Sequence, residues 1–396
     1  MNVTVKGIIL ALIAVIALIA LLIWINTLQP SETPTERSRR EAHVVTEEPD
    51  VEDPDFNEPI FDLGYVVDER DEHIFYSGSL ELPVIGATGW TATNVTLREE
   101  ASPSADRVAY LSSGEAFTIL IEDGDWWYVR VPNGTDGWVE SSRCLINLPD
   151  VLPSIIYSIS NAYSSMFHSS GYPLPGITYT ELYSAYSHND RLDRGEFIVP
   201  GMYSLAKALY DVQQLALAND ETLIIYEAFR PRDTQRAVAA ALNRMMDMED
   251  EEYNSTVHRA IADSRWTVGN FISQGRSNHQ LGAAVDSSIG LVNDKELMQS
   301  GDYSYFQVTR HTRIGEPSPM HELSPRAVLP SRNVGTLNDI GESIWNMKSY
   351  FERVGFTPLA SEWWHFNHSA SVRSGSSAGM VGDFFTPEVF SVPPVR

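Results

Sequence analysis

The stretch SNHQLGAAVD, residues 277–286, sets a histidine and an aspartate around a glycine and two alanines. Gly282 permits a tight turn, and the small Ala283 and Ala284 let the backbone approach a neighbour closely. If 283–288 form a strand, Asp286 shares a face with Ala284 and Ser288. His279 then folds over from the loop toward it. A second stretch, SEWWHFNH at 361–368, adds Glu362 and His365 on either side of two tryptophans. Taken singly these are ordinary residues. Together they are the donor types of a catalytic zinc centre, which takes three protein ligands and keeps one position open. His279, Asp286 and His365 supply the ligands on this reading. Glu362 supplies a base that removes a proton from the attacking water.

Strand geometry adds a condition. TPLASEWWHF has the composition of a strand, and on a regular strand Glu362 and His365 face opposite ways. A bulge or turn between them is therefore expected, or a strand that begins just after Glu362. The tryptophans would wall the site and lower its effective dielectric. A third stretch, YEAFRP at 226–231, places Arg230 after an apolar run and before a proline. A guanidinium held at a strand end stabilises a developing oxyanion. His368 stands in H-x-x-H spacing with His365 and is read as a decoy rather than a ligand.

Outward from these stretches the second half of the chain reads as mixed α and β. GMYSLAKALYDVQQLALAND puts Met202, Leu205, Leu209, Val212 and Leu215 on one helical face. TLIIYEAF (222–229) reads as a buried strand, and GAAVDSSIGL as another. DTQRAVAAALNRMM reads as a helix with Asp233 as its N-cap. LNDIGESIWNMKSYFERVGF reads as a long amphipathic helix stopped near Gly355. Residues 291–335, rich in Ser, Pro, Arg and His, read as a long loop.

The first half differs. Residues 86–148 alternate polar and apolar residues and are broken by Ser-Gly, Asp-Gly and Asn-Gly pairs, the signature of short strands closing a small barrel. Trp126, Trp127, Tyr128 and Trp138 supply a groove, half of them core on the plainer reading. Cys144, the one cysteine, reads as a buried small apolar residue and excludes an intramolecular disulfide. Residues 27–58 hold ten Asp and Glu and four prolines, too little apolar surface to offset ordering entropy, and read as a disordered spacer. Residues 7–25 carry no charge. As a helix they rise about 28 Å, close to the bilayer's hydrocarbon thickness, and read as an uncleaved anchor. The net charge of −25 argues against a nucleic-acid partner.

YEAFRP, SNHQLGAAVD and EWWHF, in that order, resemble the zinc D-alanyl-D-alanine peptidase family, nearest the VanX-type dipeptidases and related to the VanY-type carboxypeptidases. The family pattern S-x-H-x-x-G-x-A-x-D followed by E-x-x-H is met at Ser277, His279, Gly282, Asp286, Glu362 and His365, with Ala283 and Ala284 bracketing the small position. The likeness covers roughly residues 175–370. It implies Zn2+ at His279, Asp286 and His365, Glu362 as catalytic base, Arg230 polarising the scissile carbonyl, and Ser277 contacting the substrate amine. PMHELSPRA (319–327) also resembles a dipeptidase segment, with His321 where an acidic residue is commoner. Residues 86–148 resemble the bacterial Src-homology-3-like domain, whose members bind cell-wall peptidoglycan.

The expected class is α+β: a peptidase domain with a central, mostly antiparallel sheet and packed helices, plus a small all-β barrel and an N-terminal transmembrane helix. The expected division is an anchor at 1–26, an acidic linker at 27–58, a connecting segment at 59–85, a separate barrel at 86–148 and the peptidase domain at 149–396. The expected partners are peptidoglycan stem peptides or the free D-Ala-D-Ala dipeptide, the cell wall through the barrel, and a membrane crossed once, with the catalytic body outside the cytoplasm. The alternative is a non-catalytic anchored wall-binding protein that keeps a peptidase shell.

Overall fold

Alternation builds the barrel. In β5 (Trp126–Arg130) Trp127 and Val129 point inward, while Trp126, Tyr128 and Arg130 point out. The same rule fills the interior from β1 (Thr88–Thr91), β2 (Val95–Arg98), β3 (Arg107–Leu111), β4 (Ala116–Asp123), β6 (Asp136–Glu140) and β7 (Cys144–Asn147). Of the four aromatics expected to form a groove, Trp127 is therefore core, and the other three lie on the outer face. There Tyr128 stands opposite Trp138, with ring centroids 5.3 Å apart. Cys144 is fully buried, and burial pushes its thiol pKa up, as expected of an inert residue.

Downstream come β8 (Ile156–Tyr157), two small hairpins, β9 (His168–Ser169) with β10 (Tyr172–Pro173) and β11 (Tyr186–Asn189) with β12 (Arg194–Phe197), and then β13 (Pro200–Met202). β13 pairs with β7, so the barrel sheet takes an eighth strand from beyond residue 148. The first long helix, α1 (Tyr203–Leu217), buries Leu205, Leu209, Val212 and Leu215. It packs on β14 (Glu221–Glu227), which is buried throughout. The Gln213 carboxamide accepts from the Leu223 N–H at 3.0 Å, which satisfies a buried polar group between helix and sheet.

The helix α2 (Arg232–Asp247) starts at Arg232, so Asp233 lies in its first turn instead of capping it. After it, β15 (Ala284–Ser300) and β16 (Tyr303–Arg313) form one long hairpin. The loop expected at 291–335 is thus a strand pair over much of its length. Its residues are polar because the outer half of β15 and much of β16 are solvent-accessible, which removes the apolar alternation that marks a half-buried strand. Gly301, at φ +56, makes the two-residue turn. Then come α3 (Glu342–Arg353), β17 (Phe356–Leu359), β18 (Glu362–His368) and α4 (Ser369–Ser377). TPLASEWWHF is therefore a tight hairpin, not one strand.

The second sheet has the order β17-β18-β15-β14-β8, with β16 on β15. All its pairings are antiparallel except β14 with β8, so the class is α+β with a mostly antiparallel sheet. The computed structural model describes residues 73–247, 267–329, 342–383 and 388–396. Residues Arg70–Arg396 cluster as one unit, and one continuous core runs from Phe117 and Trp127 in the barrel to Leu209, Ile225 and Phe366 around the second sheet. The expected membrane placement is corrected: among the described residues no helix is long and apolar enough to cross a membrane. The anchor expected at 7–25 and the spacer at 27–58 lie outside the described residues, as does the start of the long helix expected from Leu337.

The connecting segment is tied to this core by Glu81, whose carboxylate accepts from the Ser154 N–H at 2.8 Å and from the Ser154 hydroxyl. Burial pushes the Glu81 carboxyl up to about 7, against those two bonds, which favour its charge. The protonated form therefore stabilises the fold. That contribution is full below the unfolded value near 4.5 and is lost as pH rises through about 7, by at most about 3 kcal/mol. Urea midpoints at pH 5 and pH 8 should differ more for the native chain than for Glu81→Gln. Equal differences would show that Glu81 titrates normally.

Candidate metal centre

Each candidate residue is placed by a local device. β14 ends in an irregularity between Ile225 and Glu227 that sets Glu227 opposite Asp286. The chain then leaves the sheet through Ala228–Arg230, and Pro231, which has no N–H to give a strand, leads into α2. His279 sits in a 3-10 turn, Asn278–Leu281, capped at Ser277. The Ser277 hydroxyl accepts from the His279 N–H at 3.3 Å, and the Gln280 side chain accepts from the Ser277 N–H at 3.2 Å, a reciprocal cap. Gly282, at φ +61, turns the chain from this helix into β15. A Cβ there would lie 2.8 Å from Leu145 Cδ2 and 3.3 Å from Gly201 Cα, so crowding adds to the left-handed backbone in favouring glycine.

Asp286 stands directly opposite His365 across the β15–β18 pair, close enough for side chains to meet. The bulge expected between Glu362 and His365 is present. Pro358 pairs with Phe366, but Leu359 pairs with Glu362, so Trp363, Trp364 and His365 are looped against β17. That extra length lets both Glu362 and His365 approach the same point.

Three atoms converge. His279 Nε2 is 3.0 Å from His365 Nδ1 and 3.2 Å from Asp286 Oδ1, and His365 Nδ1 is 3.0 Å from the same oxygen. All three residues are buried. Their hydrogen-bond partners reveal what the converging atoms carry. His279 Nδ1 lies 2.8 Å from the Ala228 carbonyl, which only accepts, so that nitrogen is the N–H and Nε2 holds the lone pair. His365 Nε2 lies 3.0 Å from Asn367 Oδ1, which accepts, so in the neutral ring Nδ1 holds the lone pair. Two imidazole nitrogens and a carboxylate oxygen at such distances repel unless a proton or a metal ion lies between them; burial opposes a proton on His365, but Asp286 favours one and raises its pKa. Tetrahedral coordination at about 2.0–2.2 Å separates ligand atoms by roughly 3.3–3.6 Å, close to the spacing seen. The donor set therefore fits zinc.

The other Asp286 oxygen is held from behind by Arg230 Nη2 at 3.1 Å and His321 Nε2 at 3.2 Å. Burial disfavours the Asp286 charge, but the surrounding histidines outweigh it and hold the carboxyl well below its ordinary range. Arg230 is 5 % exposed. Its Nε donates to Glu227 Oε2 at 2.5 Å, and Nη1 donates to Gln235 Oε1 at 2.7 Å. Burial opposes its charge too, yet Glu227 and Asp286 leave it more firmly protonated than usual. One Nη1 N–H remains beyond these bonds.

Glu362 stays out of the triangle. Its Oε2 lies 3.8 Å from His365 Nδ1, and the residue is 8 % exposed. Burial pushes its carboxyl up to about 8, although His365 favours the charge. Trp363 and Trp364 are buried beside it, with Trp363 Nε1 donating to Ser318 Oγ at 3.1 Å. His368 is turned away to Ser371 Oγ at 2.7 Å and joins no metal-ligating group.

Two side chains at the candidate site carry no role in the sequence reading. Glu227 lies within YEAFRP yet stands unassigned there. It accepts from Asn161 Nδ2 at 2.6 Å and Tyr183 OH at 3.1 Å as well as from Arg230. An acidic residue inside the apolar run LIIYEAF, three before an arginine, is the signal that finds it. His321 adopts a left-handed backbone at φ +62 and stacks on Phe167 at 4.5 Å. Ser277, expected to meet the substrate amine, is engaged as the helix cap.

Comparison with known proteins gives two findings. The family model for the bacterial SH3 domain matches residues 93–145. The chain is also 23% identical over 172 residues to a D-alanyl-D-alanine dipeptidase of Enterococcus faecium, an alignment that covers 42% of this chain and 72% of that one.

Proposed function

We propose that the chain is a zinc-dependent peptidase that hydrolyses the D-Ala-D-Ala bond of peptidoglycan-related peptides, with residues 149–396 as its catalytic domain and the barrel as a module that binds cell-wall material. The observation that carries the proposal is the triangle of two imidazole lone pairs and one carboxylate oxygen, each fixed from behind. His279, Asp286 and His365 would hold the ion. Zinc bound there supplies Lewis acidity toward a carbonyl oxygen and toward water. The similarity to a D-alanyl-D-alanine dipeptidase supports the choice of substrate.

The chain's own groups then divide the work. Ionised Glu362 removes the proton of the attacking water and returns it to the leaving amine. The buried wall of Trp363 and Trp364 excludes bulk water, so charge interactions inside act at low dielectric. Arg230, neutralised by Glu227 and Asp286, directs its remaining N–H at the developing oxyanion. On the barrel, the outward-facing Trp126, Tyr128 and Trp138 offer flat apolar faces to a wall polymer.

Product analysis of the full chain tests this reading. With zinc, D-alanine should be released from free D-Ala-D-Ala, from a pentapeptide ending in D-Ala-D-Ala, or from both. A chelator should stop release and added zinc restore it. No D-alanine from either compound would leave the non-catalytic binding protein as the better account.

A further inference from the structure

The third ligand, His365, is oriented by a side chain outside the site motifs. Asn367 stands two residues on along β18, opposite Ala284 of β15. Its Oδ1 receives His365 Nε2–H at 3.0 Å and Asn278 Nδ2 at 2.8 Å. Asn278 opens the 3-10 turn that carries His279. One carboxamide oxygen therefore ties the two histidine-bearing segments together, and both its lone pairs are used. We propose that Asn367 is a positioning residue for the metal centre: it fixes the His365 tautomer that leaves Nδ1 unprotonated, and with Asn278 it sets the distance between the two imidazoles. This inference rests on the metal-centre reading above.

The chemistry explains the residue type. A neutral imidazole has one N–H and one lone pair, and the acceptor behind the ring decides which nitrogen faces the ion. His279 takes its acceptor from a backbone carbonyl of the Ala228–Arg230 segment, where Arg230 N–H in turn donates to the His279 carbonyl at 3.2 Å. His365 lies within a strand whose backbone groups serve the sheet, so its acceptor comes from a side chain. An apolar residue at 367 would leave Nε2–H without this partner and free the ring to adopt the other tautomer, with its N–H aimed at the ion.

The test is zinc affinity, measured by competition with a chromophoric chelator on the full chain. Asn367→Leu, similar in size, should weaken zinc binding about 10–100-fold, with the melting temperature of the metal-free protein little changed. Asn367→Asp keeps an acceptor behind the ring and should restore affinity to the native level or above. Cobalt substituted for zinc should show an altered visible spectrum in Asn367→Leu and the native spectrum in Asn367→Asp. Native affinity in Asn367→Leu would overturn the inference, and so would equal losses in Leu and Asp. A native chain that binds no zinc would overturn the metal-centre reading itself, a result distinct from either.

Discussion

Glu362→Gln should lower the rate of D-alanine release about 10²–10⁴-fold, the range for a positioned general base, while zinc stays bound. The carboxylate lies near the triangle of ligand atoms but not in it, 3.8 Å from His365 Nδ1. The amide is nearly isosteric and cannot take a proton from water. Folding should not suffer. Burial already pushes this carboxyl up to about 8, so the buried site disfavours the charge that the variant removes. The native chain should gain activity as pH rises through the value at which Glu362 ionises in the loaded enzyme, and the variant should lack that rise. Loss of zinc together with activity would mean that Glu362 is a ligand and that its role has been confused with that of Asp286.

The approach of His279, Asp286 and His365 was legible because short-range devices set it. A serine cap, a left-handed glycine and two small residues lie within ten positions, and a bulge is forced by the spacing of Glu362 and His365. The supports behind the ligands were not. Glu227, His321 and Asn367 are chosen by tertiary convergence, and a lone asparagine in EWWHFN carries no periodic or spacing signal. The hairpin through residue 313 was hidden for another reason: its outer half buries neither face, so LVNDKELMQS reads as polar loop. β13 was hidden by its length, since Pro200–Met202 gains its strand character only from the edge of β7. The barrel's alternation was plain, but not which of its tryptophans points inward, because a run such as WWY fits either phase until a partner strand fixes it.

His365→Ala should cost zinc affinity at least about a hundredfold. Structural zinc sites in zinc-finger peptides bind with about 10–16 kcal/mol; on that scale one ligand of three accounts for on the order of 3 kcal/mol, and each 1.4 kcal/mol is tenfold. The loss should be larger than that because His365 also spaces its neighbours. Without it, His279 Nε2 and Asp286 Oδ1 remain 3.2 Å apart, but two donors no longer surround an ion. Asp286 keeps its bonds to Arg230 and His321, and the core around Phe366 and Trp364 is untouched, so the metal-free fold should survive. Activity should fall with the zinc, unlike in Glu362→Gln, where the two separate.

That separation can be read in one measurement, native mass spectrometry of the full chain in three forms equilibrated with the same zinc–chelator buffer, its free zinc set just high enough to saturate the native chain. The account predicts one zinc per chain in the native protein, one in Glu362→Gln and none in His365→Ala. Zinc retained by His365→Ala, or lost from Glu362→Gln, would contradict it.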